Sequence, residues 1–142
     1  MKKELDPFLK SISMKNKITY IIDDDKLSIK LMSMLISKNE FCEEIISFSN
    51  PQLALDELKK NCNIPLNLPD VILLDLNMPI LDGWQFLDEF ILLPICKEIC
   101  IFIVSSSIDP YDIEMAKEYD MVKSYIMKPI TSKKLEAASE LI

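Results

Sequence analysis

Apolar segments rich in β-branched residues recur along the chain at a steady beat. They fall at 18–22 (Ile18-Thr19-Tyr20-Ile21-Ile22), 44–48 (Glu44-Ile45-Ile46-Ser47-Phe48), 71–74 (Val71-Ile72-Leu73-Leu74), 99–104 and 124–127. Their starts lie about 25–28 residues apart, which leaves room for one helix in each gap. That is the rhythm of βαβ units and predicts a parallel sheet in an α/β domain. The run Ile99-Cys100-Ile101-Phe102-Ile103-Val104 is apolar throughout, as a strand covered on both faces requires.

The gaps read as helices. Residues 27–38 place Leu27, Leu31, Met34 and Leu35 on one stripe, which Ile29, Met32 and Ile36 widen. Asn50-Pro51 is an N-cap followed by proline at the first helical position, with Leu55 and Leu58 turned toward the sheet. Asp109-Pro110 repeats that start signal ahead of Ile113, Ala116 and Tyr119. A helix over 84–92 carries Trp84, Phe86, Leu87, Phe90 and Ile91, and a short one covers 132–141. Asn61 to Pro69 is the one loop of notable length and receives no function. Residues 1–13 read as a polar N-terminal extension, disordered or upstream of a true start at Met14, and 14–142 as one domain.

Composition narrows the chemistry. A chain of 142 residues with 49% apolar residues has enough material for one well-filled core. Its net charge of −7, with no run of Lys or Arg, argues against a nucleic-acid surface. The absence of histidine removes His acid–base catalysis, Ser-His and Cys-His nucleophiles and His-ligated zinc together. Cys42, Cys62, Cys96 and Cys100 match no C-x-x-C or zinc spacing and read as scattered reduced thiols of a cytoplasmic protein. No stretch reaches the roughly 20 apolar residues of a membrane span, and residues 1–13 lack a signal-peptide core.

The strand ends carry the candidate chemistry. In an α/β sheet the C-terminal strand ends form the functional edge. Asp23 and Asp24 follow the first apolar run and Asp75 the third. Carboxylates gathered there without a basic partner repel one another, and a hard cation with oxygen ligands, Mg²⁺ above all, relieves the repulsion. In Asp75-Leu76-Asn77-Met78-Pro79 the proline stops the strand, and Asp82-Gly83 is turn chemistry with glycine free to take positive φ. Asp25 reads as a helix cap and Asp82 as a turn residue rather than as ligands.

With Ser105 after the fourth run and Lys128-Pro129 after the fifth, these pieces resemble the receiver domain of bacterial two-component response regulators. The resemblance covers residues 17–142 and is closest to stand-alone, chemotaxis-regulator-like receivers. It implies a doubly wound, flavodoxin-like (βα)5 fold with five parallel strands in the order 2-1-3-4-5. It also implies that Asp75 accepts a phosphoryl group from a phosphohistidine. Asp24 then binds Mg²⁺ directly, or Mn²⁺ as a substitute, Asp23 helps through a water, and Asp75 and the Asn77 backbone carbonyl complete the protein ligands. Lys128, before a cis proline bond, supplies an ammonium, Ser105 a hydroxyl, and Tyr125 the switch aromatic, turning inward as Ser105 moves. The positions that shield the phosphate from water are Asn77 and Ser107, small or polar here, so strong shielding is not expected.

The expected partners are a sensor or hybrid histidine kinase or a phosphotransfer protein, and a downstream protein target. Nucleic acid and membrane insertion are not expected, and the protein is a monomer or a phosphorylation-dependent dimer. No output domain is expected after the receiver, and the only chemistry expected is autocatalytic phosphoryl uptake and loss. Two other readings stand beside this one: a Mg²⁺-dependent aspartate-nucleophile phosphatase or phosphotransferase, and a phosphate-independent adaptor. The first usually carries Asp-x-Asp, whereas Asn77 stands two after Asp75.

Overall fold

The computed structural model describes residues 16–142; the predicted extension 1–13 and the start at Met14 lie outside them. Five strands, β1 (Ile18–Ile22), β2 (Glu44–Phe48), β3 (Val71–Leu74), β4 (Cys100–Ser105) and β5 (Val122–Met127), form one sheet. Their order is β2-β1-β3-β4-β5 and every pairing is parallel. Five helices alternate with them: α1 (Lys26–Lys38), α2 (Pro51–Lys60), α3 (Gly83–Phe90), α4 (Pro110–Ala116) and α5 (Ser132–Ser139). The doubly wound fold and strand order expected from the resemblance are therefore present. Strand boundaries differ from the apolar runs by one or two residues at β4 and β5: Ser105 pairs with Met127 and Val122 with Ile101, while the register shifts past Lys123.

Alternation along the strands builds two cores. Tyr20, Ile22, Ile72, Leu74 and Ile101 face one side and pack with Ala54, Leu55 and Leu58 of α2 and Phe86, Leu87 and Phe90 of α3. Ile21, Val71, Leu73, Phe102 and Val104 face the other and pack with Met32 and Ile36 of α1 and Leu135 and Ala138 of α5. β1, β3 and β4 are buried on both faces, which is why their sequence shows continuous hydrophobicity rather than alternation.

Helix starts follow the capping chemistry. The Asp25, Asn50 and Asp109 carboxylate or amide oxygens each accept from a backbone N–H two residues on, at 3.0 Å. Asp82 and Gln85 make a reciprocal capping box, both bonds 2.9 Å.

Two expectations are corrected. On α1, Leu27, Leu31 and Met34 are exposed at 63%, 57% and 61%, whereas Met32 and Ile36 are buried. The helix is apolar on more than one face, so periodicity alone cannot choose which face meets the sheet. Gly83 does not have positive φ. Its role is close approach: a Cβ there would lie 2.7 Å from the Asp75 carbonyl oxygen and 2.9 Å from Leu76 Cα. The first turn of α3 can thus lie directly on the backbone that carries Asp75, with Gly83 N–H donating to Leu76 C=O at 3.0 Å.

Candidate functional site

The parallel arrangement delivers the C-terminal ends of β1, β3, β4 and β5 to one rim. Backbone bonds extend the ladder just past the strands and fix the side chains there. Asp23 N–H donates to Phe48 C=O at 3.1 Å, Asp75 N–H to Ile22 C=O at 2.9 Å, and Lys128 N–H to Ser105 C=O at 2.9 Å. Asp23, Asp24 and Asp75 consequently offer carboxylate oxygens that all lie within 4.8 Å of one another. Asp23 and Asp75 are buried and Asp24 is exposed, so the cluster opens to solvent on the Asp24 side.

The carboxylates have a basic partner, the Lys128 expected from the resemblance. The Lys128 ammonium lies 2.8 Å from Asp23 Oδ2 and 3.6 Å from Asp75 Oδ1, and the Lys128–Pro129 bond is cis. Burial alone would lower the lysine pKa. The hydrogen bond to Asp23 and the fields of Asp75, Asp23 and Asp25 outweigh that and hold it above its ordinary value. One ammonium does not neutralise three carboxylates. Burial, with Asp23 and Asp24 nearby, pushes the Asp75 carboxyl up to about 6, against the opposing pull of Lys128 and a backbone hydrogen bond from Asn77.

A surplus of anionic oxygen with neither imidazole nor thiolate is the donor set of a hard divalent cation. The residues present fit Mg²⁺ or Mn²⁺.

Ser105 is fully buried at the end of β4, and its Oγ accepts from Ser107 N–H at 3.1 Å. Tyr125 is half-buried against Leu76, Ile103 and Ala116, and its hydroxyl donates to Ser107 C=O at 2.9 Å. The ring is thus already packed inward and tethered to the loop that follows Ser105. All the sequence-predicted residues stand on this rim, and the Asn77 backbone N–H hydrogen-bonds to Asp75.

One residue was missed. Asp112, in the first turn of α4, accepts from Ser107 Oγ at 2.6 Å and from Trp84 Nε1 at 3.2 Å. It joins α3, α4 and the Ser105 loop beside a cavity of about 490 Å³ that Asn77, Pro79 and Asp82 also line. Its only sequence signal is its place three residues after the cap at Asp109, which ordinary helix electrostatics would also explain.

Comparison with known proteins agrees with this arrangement. The response regulator receiver domain family matches residues 19–140. Among solved structures, a two component response regulator from Cytophaga hutchinsonii is 29% identical with a TM-score of 0.79, covering 89% of this chain and 97% of that one. A response regulator receiver protein from Dyadobacter fermentans is 27% identical with a TM-score of 0.74, covering 88% and 97%. The Mn²⁺-bound form of the response regulator Rcp1 shares the fold at 23% identity and a TM-score of 0.69, covering 88% and 91%. No curated protein matches the chain in sequence.

Proposed function

This chain belongs to the response regulator receiver domain family, and from that premise we propose that it is a phosphorylation-controlled signalling module whose acceptor is Asp75. The observation that carries the reading is the convergence of three carboxylates, one ammonium and one buried hydroxyl at a single rim. Asp24, Asp23, Asp75 and the Asn77 carbonyl would hold Mg²⁺. That ion, when bound, offsets charge on the oxygens of the transferring group.

The protein's own residues do the rest. Asp75, with a carboxyl near 6, is ionised at neutral pH and needs no general base, which suits a chain without histidine. Its oxygen forms the new bond to phosphorus as the bond from phosphorus to the donor imidazole nitrogen breaks. The imidazole leaves neutral, taking a proton from solvent when it needs one. Lys128 turns its ammonium from Asp23 toward the new oxygens. The Ser105 hydroxyl donates to one of them, which removes Oγ from Ser107 N–H. Because Tyr125 holds the carbonyl of that same Ser107, the change reaches β5 and α4. This is a two-state element biased by a covalent charge of about −1.5 to −2.

The donor is a sensor or hybrid histidine kinase or a phosphotransfer protein of the cytoplasm. It docks beside the acidic rim on the exposed α1 residues Leu27 and Leu31, which line a groove of about 600 Å³ with Pro129 and Ile130. The output is phosphorylation-dependent protein binding or onward transfer. Uptake, onward transfer and autocatalytic loss of the phosphoryl group are its only reactions.

Incubation with acetyl phosphate and Mg²⁺ tests the reading. One phosphoryl group per chain, lost in Asp75→Asn, is the expected result. Multiple turnover of phosphomonoesters would instead mark an aspartate-nucleophile phosphatase. No labelling at all would mark a phosphate-independent adaptor.

A further inference from the structure

Two cysteines 34 positions apart in sequence meet at the opposite end of the sheet from the acidic rim. Cys62 follows α2 in the loop that leads to β3, and Cys96 lies between α3 and β4. Cys96 N–H donates directly to Cys62 C=O at 3.0 Å. One such bond holds the two Cα atoms within roughly 6 Å, inside the window of about 4.4–6.8 Å that disulfide-linked Cα atoms usually span.

The contact does not rest on one bond. Lys97, next to Cys96, donates from Nζ to Pro65 C=O at 3.2 Å and to Leu68 C=O at 3.3 Å, and pairs with Asp70 Oδ1 at 2.7 Å. Asp70 Oδ2 in turn accepts from Lys17 N–H at 2.8 Å. Both loops are thus clamped together at the N-terminal edge of the sheet.

The four thiols are not equivalent. Cys96 is exposed and Cys62 half-buried. Cys42 bonds the Glu44 carbonyl at 3.3 Å, and burial pushes its thiol up. Burial also pushes the Cys100 thiol up, on β4. These two are poor nucleophiles at neutral pH.

We propose that Cys62 and Cys96 are a redox modification site, closing a reversible intramolecular disulfide on exposure to a low-molecular-weight disulfide such as oxidised glutathione. The exposed Cys96 thiolate attacks one sulfur of the oxidant and expels the first small thiolate. The Cys62 thiolate then attacks the Cys96 sulfur and expels the second. Two electrons and the two thiol protons pass to the oxidant, which leaves as two small thiols. The cross-link ties together the loops that feed β3, bearing Asp75, and β4, bearing Ser105, and leaves the rim itself open.

The test uses the full chain at low micromolar concentration, reduced, then treated with oxidised glutathione and quenched by alkylation. No acidic residue lies in 58–69 or in 90–97, so a protease cutting after Asp and Glu releases Cys62 in peptide 58–70 and Cys96 in peptide 90–98. The expected product is those two peptides joined, an intact mass lower by about 2 Da, and full reversal by dithiothreitol. Its melting temperature should rise by roughly 5 °C or more over the reduced form. In Cys62→Ser the reaction should stop at a glutathione adduct on Cys96, which checks the order of attack even if that variant is less stable. Adducts alone in the natural chain, links to Cys42 or Cys100, or only intermolecular dimers would overturn the proposal. Phosphoryl uptake is not part of the readout, so the outcome does not depend on the role of Asp75.

Discussion

At the scale of single residues, Asp75 sets the character of the site. Its carboxyl is raised from 3.8 to about 6 by burial and by Asp23 and Asp24. The folded protein holds that proton more tightly than the unfolded chain does. The stabilisation is therefore complete below about pH 4 and is lost as pH rises through about 6. At neutral pH and without divalent ion, Asp75 destabilises the fold. Asp75→Asn should raise stability by about 1–3 kcal/mol at pH 7.5 in EDTA, and urea unfolding should show the gain vanish near pH 4. Saturating Mg²⁺ should narrow or reverse the difference, because only the intact carboxylate cluster binds the ion well. An equal gain at both pH values would locate the effect in packing rather than charge.

These residues were legible in sequence because each follows a strongly apolar run, and strand ends in a parallel sheet share one rim. Asp112 was not legible. Its partners Trp84 and Ser107 come from elsewhere in the chain, and nothing local distinguishes a bridging aspartate from a helix-start aspartate. The pairing of Cys62 with Cys96 was hidden for the same reason, since sequence spacing reports neighbours along the chain and not across loops.

At the scale of elements, two features separate packing from display. Gly83 lets α3 sit on the Asp75–Leu76 backbone. Alanine has the better helix propensity by about 1 kcal/mol, but its Cβ would meet backbone atoms that cannot turn aside. Gly83→Ala should therefore destabilise the protein by roughly 2 kcal/mol in urea unfolding and weaken divalent binding with it. A stabilised variant would show that α3 tolerates displacement.

Helix α1 shows the opposite case, a face whose Leu27, Leu31 and Met34 stay largely exposed among the described residues. Leu31→Ser should leave stability within about 0.5 kcal/mol of the natural chain, as exposed positions do. It should slow phosphotransfer from a protein donor about tenfold or more while leaving uptake from acetyl phosphate unchanged. Equal rates with both donors would move the docking site elsewhere. The helix pattern predicted that α1 exists but not which side it buries. Leu27, Leu31 and Met34 are as apolar as Ile29, Met32 and Ile36, and only the sheet decides between them.

At the scale of the whole molecule, the acidic rim and the cysteine pair occupy opposite ends of one sheet. β3 and β4 run between them, from the clamped loops at Asp70 and Lys97 to Asp75 and Ser105. The apolar runs and their spacing made the parallel α/β architecture readable in advance, whereas the strand order was expected from the resemblance. Distance along the chain does not by itself show the charge balance at the rim, where the resemblance had already set the Lys128 ammonium. Lys128 lies 105 positions from Asp23 and nevertheless forms its ion pair.

The central claim is that this balance exists to receive a phosphoryl group at one carboxylate. It is tested most directly by phosphorylating the chain with acetyl phosphate, reducing the acyl phosphate with borohydride and sequencing the products by mass spectrometry. A trypsin fragment running from Asn61 to Lys97 contains position 75. Homoserine at position 75, formed with Mg²⁺ and absent with EDTA, is the predicted result. Homoserine at Asp23, Asp24 or Asp82 instead, or equal yield with and without the divalent ion, would contradict the account.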